Sequence, residues 1–330
     1  MIDFRYHIVS LVSVFMALAI GVVLGAGPLK EAIGDTLSNQ VSELRADTED
    51  LTKAVENREV QIADRDAFIE SVTAPLLAEQ LGGTSVVVIT LPGVDSDVAD
   101  ALAERLEASG ATLTGRVALQ PRWTDPEQQA FRSSLSGQLV QYVEPRPPAE
   151  AGAAGELAAV LARAVVTTDI AAAGQADPDA STIIEGLRAS DLISVDGDPA
   201  QMATAAVVLA GPPDESAGAG DADWAEAAAQ SYTALALGLD AAARGSVVTG
   251  PVSSAADADG LLAQLRSADD VAAVVSTVDA VDTPMGRATT VLALREQLAG
   301  AAGQYGVAEN ATALLPATGA AAAPAEGGGG

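Results

Sequence analysis

Soft donors and nucleophiles are scarce in this chain: among 330 residues there is no cysteine, one histidine and four methionines. The lack of cysteine removes thiolate ligands, thiol nucleophiles and disulfides together. The histidine, His7, lies at the edge of a long apolar run, so no His-based triad can form in the body of the chain. Past residue 30 only Met202 and Met285 carry sulfur, the first just before an apolar run and the second in a Pro-Met-Gly turn. Two thioethers without thiolate or imidazole make a poor site for a soft cation. Neither a phosphate-binding P-loop nor a GxSxG elbow occurs, and the first apolar run leads into Leu91-Pro92-Gly93-Val94-Asp95 in place of a GxGxxG loop. Asp196-Gly197-Asp198 resembles part of a calcium loop, but the rest of the spacing is missing and it reads as a turn. Leu315-Pro316-Ala317-Thr318-Gly319 matches a wall-sorting pentapeptide, yet no hydrophobic span or basic residues follow it. Carboxylates are abundant, but a dense acidic surface offers pairs everywhere and no two are singled out. The expectation is a protein with no catalytic residue, no cofactor-binding residue and no metal ligand, and not an enzyme.

The net charge of −28 argues against nucleic acid and against docking on anionic lipid, since both are polyanions. The chain is long enough for a sizeable core, either one large α/β domain or two small lobes.

What would position such a body is a membrane anchor. Residues 8–27 carry two serines and are otherwise apolar or glycine. About 20 such residues at roughly 1.5 Å each cover the ~30 Å hydrocarbon core of a bilayer. The short N-terminal tail holds Arg5 and the terminal amine, whereas the far side turns acidic after Lys30, which places the tail in the cytoplasm and the body outside. The alternative is a cleaved secretory signal with small residues at Gly25 and Gly27. Either reading exports the body.

Residues 33–72 read as one polar helix with a seam. Leu37, Val41, Leu44, Thr48, Leu51 and Val55 alternate steps of four and three, the spacing of heptad a and d positions, and Ile62 continues it after Arg58. The functional reading is a parallel coiled-coil homodimer, and the alternative is an amphipathic helix folded back on its own domain. Pro75 is expected to end or kink the helix.

From residue 84 the texture becomes α/β. Residues 85–90, 112–119, 192–195, 204–210, 245–249, 271–278 and 288–294 are strand candidates, the last running into a short helix at 295–300. Helices are expected at 96–109 (capped by Asp95 or Ser96), 125–142, 149–164, 178–190, 223–243 and 257–267, with a small acidic loop at 214–222. Continuous apolar strands imply a mostly parallel sheet covered on both faces, in Rossmann-like layering. The expected organisation is an anchor over 1–29, a stalk over 30–74, an extracytoplasmic α/β domain over 75–311 and a disordered tail over 312–330.

The N-terminus, Met1-Ile2-Asp3-Phe4-Arg5-Tyr6-His7 through the apolar run to Ala26, resembles the opening of the actinobacterial copper transporter (MctB-like) family. So do Ser276, Thr277, Val278, Asp279, then Asp282, Gly286 and Arg287, and finally Gly303, Gln304, Tyr305 and Gly306. The resemblance covers roughly residues 1–310. It implies copper transport or tolerance across the envelope, in an outer membrane by the family's name. Family members also resemble the membrane subunit of a cell-separation complex. There a cytoplasmic or membrane partner meets the anchor, and the outer part controls a cell-wall hydrolase or its regulator. Aromatics at 3% and strands interleaved with helices do not describe a membrane barrel with aromatic girdles. The first expectation is therefore a non-enzymatic plasma-membrane scaffold or regulator, such as one acting on a septal peptidoglycan hydrolase. The alternative is a component of copper transport.

Overall fold

A computed structural model describes residues 4–26, 28–212 and 222–317. The chain divides into two compact units, Met1–Arg65 and Asp66–Gly330.

In the first unit helix α1 (Phe4–Ala26) is apolar all round, with Leu11, Phe15 and Leu18 all exposed. A helix without a polar face needs an apolar surround. Its stretch Phe4–Gly25 holds 22 residues, roughly 33 Å at 1.5 Å per residue, which is long and apolar enough to cross a membrane. Helix α2 (Pro28–Leu77) is 50 residues long, and its first part fills the rest of the unit. It runs through Pro75 and stops two residues later, so the proline falls in the last turn and does not end the helix before it. Leu37, Leu44, Leu51, Val55 and Ile62 are all about half exposed or more, Val41 is 37% exposed, and the Thr48 hydroxyl donates to the Leu44 carbonyl at 2.7 Å. The heptad spacing thus survives as an apolar stripe on a single helix; a coiled coil is not itself seen.

The second unit is built on one sheet. Its first half contains β1 (Ser85–Thr90), α3 (Ser96–Ala108), β2 (Thr112–Leu119), α4 (Gln129–Leu139), α5 (Gly152–Val165), α6 (Pro178–Ala189) and β3 (Ile193–Gly197). Then follow β4 (Ala205–Leu209), α7 (Ala222–Ala242), β5 (Gly245–Thr249), α8 (Val252–Ala256), α9 (Leu261–Ser267), α10 (Asp269–Ala272), β6 (Ser276–Val278), α11 (Pro284–Leu298) and β7 (Gln304–Tyr305). The strand order is β3-β2-β1-β4-β5-β6-β7, parallel throughout except for β3, which pairs antiparallel with β2. Strands β1, β4 and β5 are buried on both faces, as their unbroken runs of Val, Ile and Ala require. Val87, Ile89, Val208 and Val248 face a layer containing α5, α6, α7 and α9. Val86, Val88, Val207 and Val247 face α3 and α11, and Leu77, the last residue of α2, and Leu81 in the turn after it pack into that second layer.

The expected α/β class and mostly parallel sheet are present, and several expected elements differ. Residues 288–294 form no strand; they lie inside α11, whose Ala288, Val291 and Leu294 pack on the sheet while Thr289 and Thr290 are also buried. A helix buried on most of its surface lacks the polar face that betrays a helix in sequence. The apolar run 271–278 contains the end of α10 and the three-residue β6, and Gly260 caps α9 so that the expected helix over 257–267 starts only at Leu261. Residues 125–142 split into two 3₁₀ turns flanking α4. The C-terminal segment stays paired beyond residue 311, because the Thr312 hydroxyl donates to Gln304 at 2.8 Å and the Gly306 amide to Ala313 at 3.0 Å. Of the expected acidic loop, residues 214–221 lie outside the described residues, as do 318–330 of the expected tail.

Helix α11 is started by Thr283, whose hydroxyl accepts the Gly286 amide at 3.1 Å and donates to the Ala280 carbonyl at 2.7 Å. Losing an N-cap costs about 1 kcal/mol. Thr283→Ala should therefore lower unfolding stability by about that amount, read as a smaller urea midpoint by tryptophan fluorescence of the detergent-solubilised protein.

Candidate functional site

Strand β6 ends at Val278, and the next residue, Asp279, is fully buried beside the side chain of Arg266 from α9. Their charged atoms lie 3.0 Å apart, with the two side chains 2% and 0% exposed. Such a pair is tolerated only when its remaining donors and acceptors are met. Asp279 accepts the backbone N–H groups of Val307 at 2.7 Å and Ala308 at 3.3 Å. Arg266 donates to the Thr277 hydroxyl at 2.7 Å, to the Tyr305 carbonyl at 2.7 Å and to the Asn310 side-chain oxygen at 2.8 Å. Burial pulls the Arg266 guanidinium below its usual range, and Asp279 opposes that shift.

The backbone is shaped to let these groups meet. Gly306 takes a φ of +132°, and a Cβ there would come within 2.1 Å of the Asp279 carboxyl. Gly286 faces the turn at Ala280, where a Cβ would sit 2.0 Å from the carbonyl oxygen, so α11 can begin there only with glycine. Around this centre the Ser276 hydroxyl accepts the Gly303 amide at 3.1 Å and the Gln297 side chain at 3.0 Å. Gln304 accepts from the Thr277 hydroxyl and donates to the carbonyls of Ala272 and Val275 at 2.9 and 3.1 Å. The Tyr305 hydroxyl donates to Glu296, and burial together with that carboxylate pushes it well above its usual range.

The sequence-selected residues Ser276, Thr277, Asp279, Gly303, Gln304, Tyr305 and Gly306 thus gather at the β6–β7 end of the sheet, with Val278 in the core beneath. Asp282 is exposed, and its carbonyl accepts from Arg287 at 3.2 Å. Sequence reasoning missed Arg266, Asn310, Glu296 and Gln297. The one available signal was Arg266 itself, directly after Leu261-Leu262-Ala263-Gln264-Leu265, a run apolar but for Gln264. Chemically the arrangement is a clasp and not a reaction centre. Its carboxylate and guanidinium are inaccessible to solvent and already occupied by protein groups, so they hold the segment after β7 on the sheet.

Two other places in the fold deserve comparison with known site geometries. In doubly wound sheets ligands bind where the strand order reverses, here between β1 and β4. That crevice is filled by backbone, since a Cβ on Gly211 would lie 2.9 Å from the carbonyl carbon of Gly93. Beside it an open groove of about 310 Å³ runs over the β1–β2–β3 edge, lined in part by Thr90, Ser96, Asp100, Arg116, Ser194 and Asp196. Arg116 is ion-paired with Asp100 there. Among the described residues no group of three or more His, Cys, Asp or Glu is placed to hold a metal ion. Met202 is buried in the α5 layer, where its sulfur accepts from Arg163 at 3.5 Å. Met285 lies in the first turn of α11, which packs on the other face of the sheet.

A family model described as Copper transport outer membrane protein, MctB, matches residues 1–316. The chain belongs to the MctB family. It is 28% identical over 325 residues to Copper transporter MctB of Mycobacterium leprae (strain TN), covering 95% of this chain and 99% of the relative. Copper transporter MctB of Mycobacterium tuberculosis (strain ATCC 25618 / H37Rv) matches with the same identity and coverage. The family description mentions an outer membrane, but the sheet described here is open, with helices on both faces. Its strands are two to eight residues long, against the 9–11 that a membrane β-strand requires. The one described element of this MctB-family chain suited to a bilayer is α1.

Breaking a buried pair from one side costs about 3–5 kcal/mol, because the other charge is left unpaired. Asp279→Ala should lower unfolding stability by about that much, whereas Asp282→Ala at the exposed neighbour should stay within about 0.5 kcal/mol. Urea titrations of the two purified variants separate these outcomes.

Proposed function

We propose that this protein is a membrane-anchored, non-enzymatic envelope component that serves copper handling through assembly, without ligating the ion itself. Membership of the MctB family supports the copper context. The observation that carries the mode of action is the placement of Met202 and Met285 on opposite faces of the sheet, the first already engaged by Arg163. Copper(I) is taken by thiolate, thioether or imidazole, and no cysteine and no histidine beyond His7 supplements these two sulfurs. Copper would therefore be cargo of a larger assembly. The short tail with Arg5 supports an N-terminus in the cytoplasm and a body outside the plasma membrane; the family description offers the outer membrane as the alternative.

A second reading rests on a different observation, the exposed apolar stripe of α2. Leu37, Leu44 and Leu51 form one of its columns and are 58%, 64% and 67% exposed. A stripe at heptad spacing supports a parallel homodimer. A dimeric stalk between an anchor and a site-poor domain suits a scaffold that links a cytoplasmic or membrane partner to a septal cell-wall hydrolase or its regulator.

Under reductant and with a competing chelator, the purified protein should bind copper(I) no more tightly than Met202→Leu/Met285→Leu. Stoichiometric binding abolished in that double variant would restore direct copper ligation. Sedimentation in detergent should show a dimer that becomes a monomer when Leu37, Leu44 and Leu51 are replaced by Asp; an unchanged mass rejects the seam. A deletion strain that is copper-sensitive with normal septation supports the first reading, and one with septation defects and normal copper tolerance supports the second.

A further inference from the structure

The two edges of the sheet are finished differently. Beyond β7 the chain covers its own edge: the Gly306 amide donates to Ala313 at 3.0 Å and the Thr312 amide to Gln304 at 2.8 Å. Beyond β3 no further strand is placed. The Gln120 amide donates to the Leu192 carbonyl at 2.9 Å, and the Asp198 amide to the Thr114 carbonyl at 3.2 Å. In an antiparallel ladder, residues that exchange hydrogen bonds with the neighbour alternate with residues that exchange none. Leu192, Ser194, Asp196 and Asp198 therefore turn their backbone groups toward β2, and Ile193 and Val195 turn theirs outward. Among the described residues nothing pairs with those two amides and two carbonyls.

An unpaired edge is a template for another strand, and the side chains along it say which strand it suits. On one face Ile193 is buried and Val195 half-buried in the layer containing α6. On the other face Ser194 and Asp196 are exposed and border the open groove of about 310 Å³. Arg116 in that groove is already ion-paired with Asp100. Asp196 stands opposite Arg116 in the register of β2 and β3, but its carboxylate has no partner among the described residues. Asp191 and Asp198 are exposed at the two ends of the strand, and of the three acids only Asp191 has a described basic group within 4.0 Å, Arg122. A second copy would bring the same three carboxylates to the edge, and like charges across a strand pair are destabilising. Residues 214–221 and 318–330 of this chain include no basic residue.

We propose that β3 takes an added strand from a partner protein, an extended segment in which basic and apolar side chains alternate. Its backbone pairs with Ile193 and Val195. Its basic residues lie beside Ser194 and Asp196 on the groove face, and its apolar residues extend the Ile193 and Val195 surface over α6. Main-chain hydrogen bonds hold the segment, and the acidic face selects its charge. Neither copper nor the α2 seam enters this proposal.

The full chain in non-ionic detergent tests it, with a fluorescent eight-residue peptide of alternating lysine and valine as the probe. The peptide should bind saturably and slow hydrogen exchange over 192–198, leaving the rest of the sheet unchanged. An alternating glutamate–valine peptide should not bind. A lysine–valine peptide of the same composition arranged in two blocks should bind at least 10-fold more weakly. Val195→Pro removes an outward N–H and no bond to β2, which an edge strand tolerates. That variant and Asp196→Lys should each weaken binding at least 10-fold. If Val195→Pro unfolds, Asp196→Lys at its exposed position decides. Absence of binding overturns the proposal. So does equal binding of the alternating and block peptides without protection of 192–198, which is attraction to a net charge of −28 and nothing more. Exchange over 192–198 that is already slow without peptide and speeds up on dilution places a second copy at the edge and overturns it equally.

Discussion

The buried pair of Arg266 and Asp279 sets the terms for the C-terminal third of the molecule. Withdrawing two charges from water is expensive unless every remaining donor and acceptor is met. Here that requirement reaches well beyond the pair. It needs a glycine at 306 so that the carboxylate can approach the backbone, and it needs the amides of Val307 and Ala308 turned inward. It also needs Asn310 beyond β7 to complete the arginine's contacts. A two-residue strand such as β7 has little ladder of its own, so the segment around it is ordered chiefly by satisfying this charge pair.

The rest of the second unit shows a sheet order associated with ligand binding whose usual crevice is closed. Gly93 and Gly211 bring two loops into backbone contact where a cofactor would otherwise enter. The layers are retained, and the polar investment has moved to the β6–β7 side. Fold alone therefore says little about activity; the distribution of filled and open polar groups says more.

Much of the architecture was legible in the residues. The β-branched runs at β1, β2 and β5 are bounded by glycine and proline, and their limits follow directly. Asp95 caps α3 through the Asp97 amide at 2.8 Å, as an aspartate at that position implies. Helix α11 was not legible, because Thr289, Thr290 and Val291 favour strand locally and tertiary burial overrides that preference. Its true signal was the start, Thr283 followed by Pro284, and not its periodicity. The motif residues around Asp279 could be selected as a set, but their purpose could not. Arg266 and Asn310 come from segments whose proximity only the folded sheet creates. The stripe on α2 was readable from spacing alone, since an exposed seam depends on one helix and nothing distant.

The position of Met202 has a consequence for chemical durability. Copper ions that cycle between oxidation states generate oxidants, and thiols and thioethers are their first protein targets. A chain without cysteine offers no thiol to be lost. Of its two body thioethers, one is sealed in the α5 layer under an arginine, at 6% exposure, and the other is only partly covered at the start of α11. Since susceptibility of a thioether follows its exposure, oxidation in this domain would fall on Met285 before Met202.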